Sequence, residues 1–168
     1  LKEIRGRIAS ISSTMQITSA MKMVSAAKLK KAQDAIVMLR PYSEKLQEII
    51  RNVSSSSAGV PVSVYAQNRE VKRVLYILVT SNRGLAGMFN SSVIKEFNHQ
   101  IQSVGNKEIE VLTIGKKAYD VVRKTQEVYQ NQSAVFDNLN FDTVSAIAYT
   151  VMEDFAKGKF DEVYLIYN

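Results

Sequence analysis

LKEIRGRIASISSTMQITSAMKMVSAAKLKKAQDAIVMLRPYSEKLQEIIRNV, residues 1–53, carries its apolar side chains on a seven-residue clock. Every seventh residue from Leu1 reads Leu1, Ile8, Met15, Lys22, Leu29, Ile36, Ser43, Ile50. The companion series from Ile4 reads Ile4, Ile11, Thr18, Ser25, Ala32, Leu39, Leu46, Val53. Twelve of these sixteen positions are apolar. The alternating spacing of three and four keeps them on one face of a slightly under-wound helix, as a left-handed coiled coil requires. At 1.5 Å per residue the rod is roughly 80 Å long, and its seam calls for a second helix to cover it. Pro41 removes one backbone donor and crowds the carbonyl of Val37, so a kink or break is expected there. The heptad phase runs on through Ile36, Leu39, Leu46, Ile50 and Val53, which favours one bent rod over two unrelated helices.

The rod takes about a third of the 168 residues and leaves one small domain to follow it. Ser54 to Gly59 followed by Pro61 is small and polar and should end the rod, giving a shaft at 1–53, a linker at 54–70 and a foot at 71–168. The chain holds no Cys, which excludes a disulfide framework, a thiolate nucleophile and a Cys-based zinc site. No apolar run approaches the length of a bilayer span, and no signal peptide precedes the first helix, so the protein is expected to be soluble or peripheral. The opening at Leu1 and the stop at Asn168, straight after a strand, read as those of a fragment.

Charge is distributed unevenly. Residues 1–53 hold ten Lys or Arg against four Asp or Glu, while the remainder holds twelve of each, so the rod carries the whole net charge of +6. A basic, partly apolar helix suits nucleic acid, an anionic membrane surface or an acidic protein partner, and a merely solvated polar face is the plain alternative.

Beyond residue 70 the periodicity changes. VKRVLYILVT, Val71 to Thr80, is a β-branched and aromatic run suited to a buried central strand. Gly84 to Gln102 reads as a helix with Leu85, Met88, Phe89, Val93, Ile94, Phe97 and Ile101 inward. Glu108 to Ile114 is a second strand, Lys116 to Lys124 a short helix, and Glu127 to Phe136 includes a further short strand. Phe141 to Ala156 is helical and Asp161 to Tyr167 a final strand. Strands alternating with helices give an α/β fold with right-handed crossovers and an open, mainly parallel sheet flanked by helices.

Two regions bear on function. Ser81, Asn82, Arg83, Gly84, Leu85, Ala86 and Gly87 fall at the carboxyl end of the first strand, where ligands usually enter such a sheet and where free N–H groups of a helix start attract anions. The turn nevertheless lacks GxGxxG and GxxxxGK[ST], and the second strand ends in Gly115-Lys116-Lys117 where a dinucleotide site needs a carboxylate. The plain alternative is a strand-to-helix turn in which Gly84 and Gly87 permit tight packing and Ser81 or Asn82 caps the helix. His99, the only histidine, lies on a polar helix face, and Glu153 and Asp154 splay about 100° apart on a helix. No catalytic, cofactor or metal site is expected.

The second region is Gln16 to Lys31, where the seam loses its large residues at Thr18, Lys22 and Ser25. Another apolar stripe takes over through Ile17, Ala20, Met21, Val24 and Ala27, with Met23 beside it. Small residues allow close approach and Met gives a pliable contact, so this stretch suits contact on more than one side. A seam that wobbles toward one bulky partner helix would read in the same way.

LKEIRGRIASISSTMQITSAMKMVSAAKLKKAQ together with VTSNRGLAGMFNSSV resembles the gamma-subunit family of F-type ATP synthases, and the likeness runs in order through all 168 residues. It implies a non-catalytic central rotor that couples proton or sodium flow to ATP synthesis or hydrolysis on neighbouring subunits. By that resemblance the N-terminal helix pairs with a long C-terminal helix, absent from this sequence, inside a ring of alpha and beta subunits. A Rossmann-like foot rests on the c-ring beside the epsilon subunit. The family's contact with alpha and beta falls on Gln16, Ile17, Thr18, Ala20, Met21, Lys22, Met23 and Val24, and its foot turn on Ser81, Asn82, Arg83, Gly84, Leu85 and Gly87. The implied location is peripheral on an energy-transducing membrane, at the cytoplasmic face of a bacterial inner membrane, with no cofactor and no nucleic acid. Thiol regulation of the chloroplast kind has no cysteine to act on.

Two other classes are weighed against it. A nucleic-acid-binding adaptor would lay the basic helix along phosphates and lose affinity steeply with salt. The scarcity of aromatics among the rod's lysines counts against this reading. A small nucleotide-dependent enzyme would use the turn from Arg83 to Gly87.

Overall fold

The computed structural model describes residues 1–56, 63–66 and 69–168, and the chain divides into two compact units, Leu1–Pro61 and Val62–Asn168. The expected linker lies in part outside the described residues.

The first unit is one helix, α1 (Lys2–Ser56). It runs through Pro41 without interruption, so the break the proline allowed does not occur. One missing N–H frees a single carbonyl, that of Val37, and Val37 is exposed, so water can satisfy it. Every side chain described on α1 is exposed, the seam included: Ile8 is 62%, Ile11 69% and Leu39 64% accessible. A soluble protein rarely leaves an apolar stripe of this length bare, because each fully buried Leu or Ile side chain is worth about 1.5–3 kcal/mol.

The second unit is a four-stranded parallel sheet in the order β3-β2-β1-β4. Its elements in chain order are β1 (Arg73–Val79), α2 (Phe89–Ser103), β2 (Glu108–Ile114), α3 (Lys116–Val122), β3 (Glu127–Asn131), α4 (Phe141–Ala156) and β4 (Glu162–Ile166). Short 3-10 turns cover Val64–Ala66 and Ser133–Asp137. The sheet is parallel throughout, as the alternating pattern required. The period of two along β1 then feeds two cores. Val74, Tyr76 and Leu78 face α2 and α3 with Val93, Phe97, Val111, Ala118 and Val122. Leu75 faces the other way, joining Leu112, Val151 and Phe160 beneath α4. Tyr76 meets Phe97 edge-on at 5.3 Å, and Tyr129 meets Phe160 likewise at 5.2 Å.

Helix α2 begins at Phe89, five residues later than the periodicity indicated. Leu85 sits at φ 59° and Gly87 at φ 55°, left-handed backbone that no helix can contain. The expected inward set changes accordingly. Val93 and Phe97 are buried, whereas Leu85 is fully exposed and Met88 and Phe89 are largely so.

Candidate functional site

In a doubly wound sheet the ligand crevice opens where successive crossovers part to opposite sides, here at the carboxyl end of β1 between β2 and β4. The turn Ser81 to Gly87 occupies that place. The amide N–H groups at the start of α3 could serve an anion only if free, and each is already taken. The Lys116 N–H donates to Asn82 Oδ1 at 2.9 Å, Lys117 N–H to the Ser81 carbonyl at 3.2 Å, and Ala118 N–H to Thr80 Oγ1 at 2.9 Å. Asn82 spends its Nδ2 on the Ser133 carbonyl at 2.9 Å. Ser81 receives Asn90 Nδ2 on its hydroxyl at 2.9 Å and passes its own proton to the Arg83 carbonyl at 2.6 Å.

The start of α3 is therefore closed by the chain's own polar groups. Asn82 caps a helix, but that helix is α3 rather than the one that follows it in sequence. Helix α2 has Met88 at its N-cap with no side-chain bond. Tight packing does not explain the glycines of the turn. A Cβ at Gly84 would meet Lys117 Cε at an ordinary 3.7 Å and one at Gly87 nothing within 4 Å, so Gly87 answers to its positive φ. The glycine that close packing does require is Gly115, at φ 116°, where a Cβ would lie 2.0 Å from the Thr80 carbonyl oxygen. Thr80, Asn90, Ser133 and Gly115 complete this knot. Local spacing does not single them out, because Thr80, Ser133 and Gly115 meet partners on other elements and Asn90 meets Ser81 only once the turn has folded.

Arg83, Gly84, Leu85 and Gly87 are exposed, while Ser81 and Asn82 are half-buried in the knot. Among the described residues no group of three or more His, Asp or Glu could hold a metal ion. Asp154 accepts the Tyr129 hydroxyl at 2.7 Å, and Glu153 pairs with Lys157 at 2.7 Å, so the two adjacent carboxylates serve separate bonds. Burial first, and the bond to Asp154 next, push the Tyr129 hydroxyl well above the ordinary tyrosine range.

On α1, Gln16, Ile17, Thr18, Ala20, Met21, Lys22, Met23 and Val24 are all exposed. Ile17 at 59%, Met21 at 55% and Val24 at 57% form the stripe that the spacing gave. Thr14 and Thr18 turn their hydroxyls inward, donating to the carbonyls of Ser10 at 2.9 Å and Thr14 at 2.8 Å. The surface of this stretch is consequently poorer in free donors than its composition implies. What remains is small, apolar and adaptable. Among the described residues no helix is long and apolar enough to cross a membrane.

These features define an α/β protein with a long, basic, bare helical arm. Its whole length, residues 1–168, matches the family model described as ATP synthase. It is 54% identical over 168 residues to the ATP synthase gamma chain of Flavobacterium johnsoniae, 54% to that of Flavobacterium psychrophilum, and 47% over 169 residues to that of Christiangramia forsetii. In each comparison all of this chain is covered, and it spans 59% of the length of the relative. The chain belongs to the ATP synthase family, and the relatives it matches are gamma chains.

Proposed function

We propose that this chain is part of the central-stalk rotor of an ATP synthase, a non-catalytic subunit that couples ion flow through the membrane to ATP synthesis or hydrolysis on partner subunits. The observation that carries this reading is the match of residues 1–168 to gamma chains, over 59% of their length. The bare, basic, heptad-patterned α1 supports it. The arm's mate is a long helix of the gamma chain itself, and the paired helices turn inside a sleeve of alpha and beta subunits. The foot then rests beside the epsilon subunit on the c-ring, peripheral to an energy-transducing membrane at its cytoplasmic face.

The chemistry of Gln16 to Val24 fits such a bearing. A shaft that rotates within a sleeve needs a shallow energy surface, since any strong directional bond on one side becomes a barrier on every turn. Small and thioether side chains, with threonine hydroxyls spent on the helix's own carbonyls, keep that surface shallow. The lysines and arginines of the arm complement acidic loops of the sleeve and steer assembly more than they tighten it.

Met21→Lys tests the contact assignment in the assembled enzyme, in membrane vesicles that pump ions at the expense of ATP. A new cation able to grip an acidic loop, worth about 1 kcal/mol as an exposed pair, should slow the step it opposes about fivefold and lower the ions pumped per ATP. Unchanged rate and coupling would contradict the assignment of this face. Nothing in the structure favours the nucleic-acid adaptor, whose arm would carry Tyr42 as its single aromatic residue.

A further inference from the structure

Ahead of β1, Val71 packs against the core that faces α2 and α3 and the Lys72 carbonyl accepts the Glu108 N–H at 2.9 Å, while Arg69 and Tyr65 meet Phe155 at the end of α4. The last carbonyls of a helix are unsatisfied and carry partial negative charge, so a cation placed there is stabilising. Helix α4 has no basic residue in its own last turn. Arg69, 86 residues away in sequence, supplies one: Nη1 donates at 3.0 Å to the Phe155 carbonyl, which also accepts the Gly158 N–H at 3.0 Å. The same guanidinium lies over the Phe155 ring, 4.7 Å from its centre, and its Nη2 donates to the Val64 carbonyl at 3.2 Å. One planar fork thus joins the 3-10 turn Val64–Ala66 to the end of α4. Tyr65 also stacks with Phe155, their ring centres 6.3 Å apart.

The neighbouring residues continue the attachment. The N–H groups of Lys72 and Arg73 both donate to Asp161 Oδ2, at 3.0 and 2.9 Å, and the Arg73 guanidinium donates to the Gly158 carbonyl. These bonds alone hold only the edge of β1. Arg69 is what extends the grip backward to Val64.

We propose that Arg69 is a staple: a positioning residue that fastens the 3-10 turn Val64–Ala66 to the carboxyl end of α4. It stands whether or not the rotor reading holds, since every contact in it lies within the second unit. Lysine cannot replace it fully, because an ammonium over the same ring reaches one carbonyl where the guanidinium fork reaches two.

Amide hydrogen exchange on the full-length protein, compared across wild type, Arg69→Ala and Arg69→Lys, tests the proposal. Exchange in peptides covering residues 63–66 is expected to rise about tenfold or more in Arg69→Ala and by a smaller factor in Arg69→Lys, while β1 and β2 keep their protection. Unchanged exchange at 63–66 in Arg69→Ala overturns the staple. So does an equal loss of protection across the sheet, which would make Arg69 a general stabilising residue.

Discussion

At the scale of single residues, the foot depends on one position where only the absence of a side chain is acceptable. Gly115 combines φ 116° with a backbone carbonyl 2.0 Å from any Cβ that might be added. Gly115→Ala should therefore destabilise the foot by at least about 3 kcal/mol, since a Gly-only backbone conformation and a backbone collision must both be relieved. The midpoint of urea unfolding reports it, and a shift of less than about 0.5 kcal/mol would show that the turn relaxes freely. The requirement was invisible in the sequence, where Gly115 reads only as the end of a strand. Its cause is the Thr80 carbonyl on the neighbouring strand. Leu85 taught the same lesson: its helical spacing placed it inward, yet it has a positive φ and is fully exposed.

At the scale of elements, legibility followed the length and regularity of the hydrophobic pattern. β2 and α4 occupy the residues the periodicity indicated, Glu108–Ile114 and Phe141–Ala156, and α4 opens with a reciprocal cap between Asn140 and Thr143. Helix α2 was misplaced at its start because two left-handed residues precede it, and local periodicity carries no record of backbone sign. The corner that joins β1 to β4 rests on Asp161, whose carboxylate is held below its ordinary pKa chiefly by the N–H groups of Arg73 and Lys72. A depressed folded-state pKa gives stability that is present above the unfolded value, about 3.9, and is lost as pH falls through the lower folded value. Asp161→Asn should thus lower the melting temperature at pH 6, with the gap between variant and wild type narrowing below about pH 4. A gap that stays constant from pH 6 to pH 2.5 would mean that the charge on Asp161 does not stabilise this corner.

At the scale of the whole molecule, two surfaces carry the account, and they differ in how far the sequence revealed them. The arm declared itself, because a seven-residue repeat over 1–53 can be read without knowing any contact. The foot crevice did not. Its composition left open a nucleotide site, and only the structure shows that the Lys116, Lys117 and Ala118 N–H groups at the start of α3 are spent on Asn82, Ser81 and Thr80. A bare apolar arm suits the rotor part proposed above, one that works by being moved. The most direct test of that claim is to fix the alpha and beta subunits of the assembled enzyme to a surface, attach a probe to the foot, and supply ATP. The account predicts that the probe turns in one sense for many revolutions. A probe that stays at one angle while ATP is hydrolysed at the normal rate would contradict it.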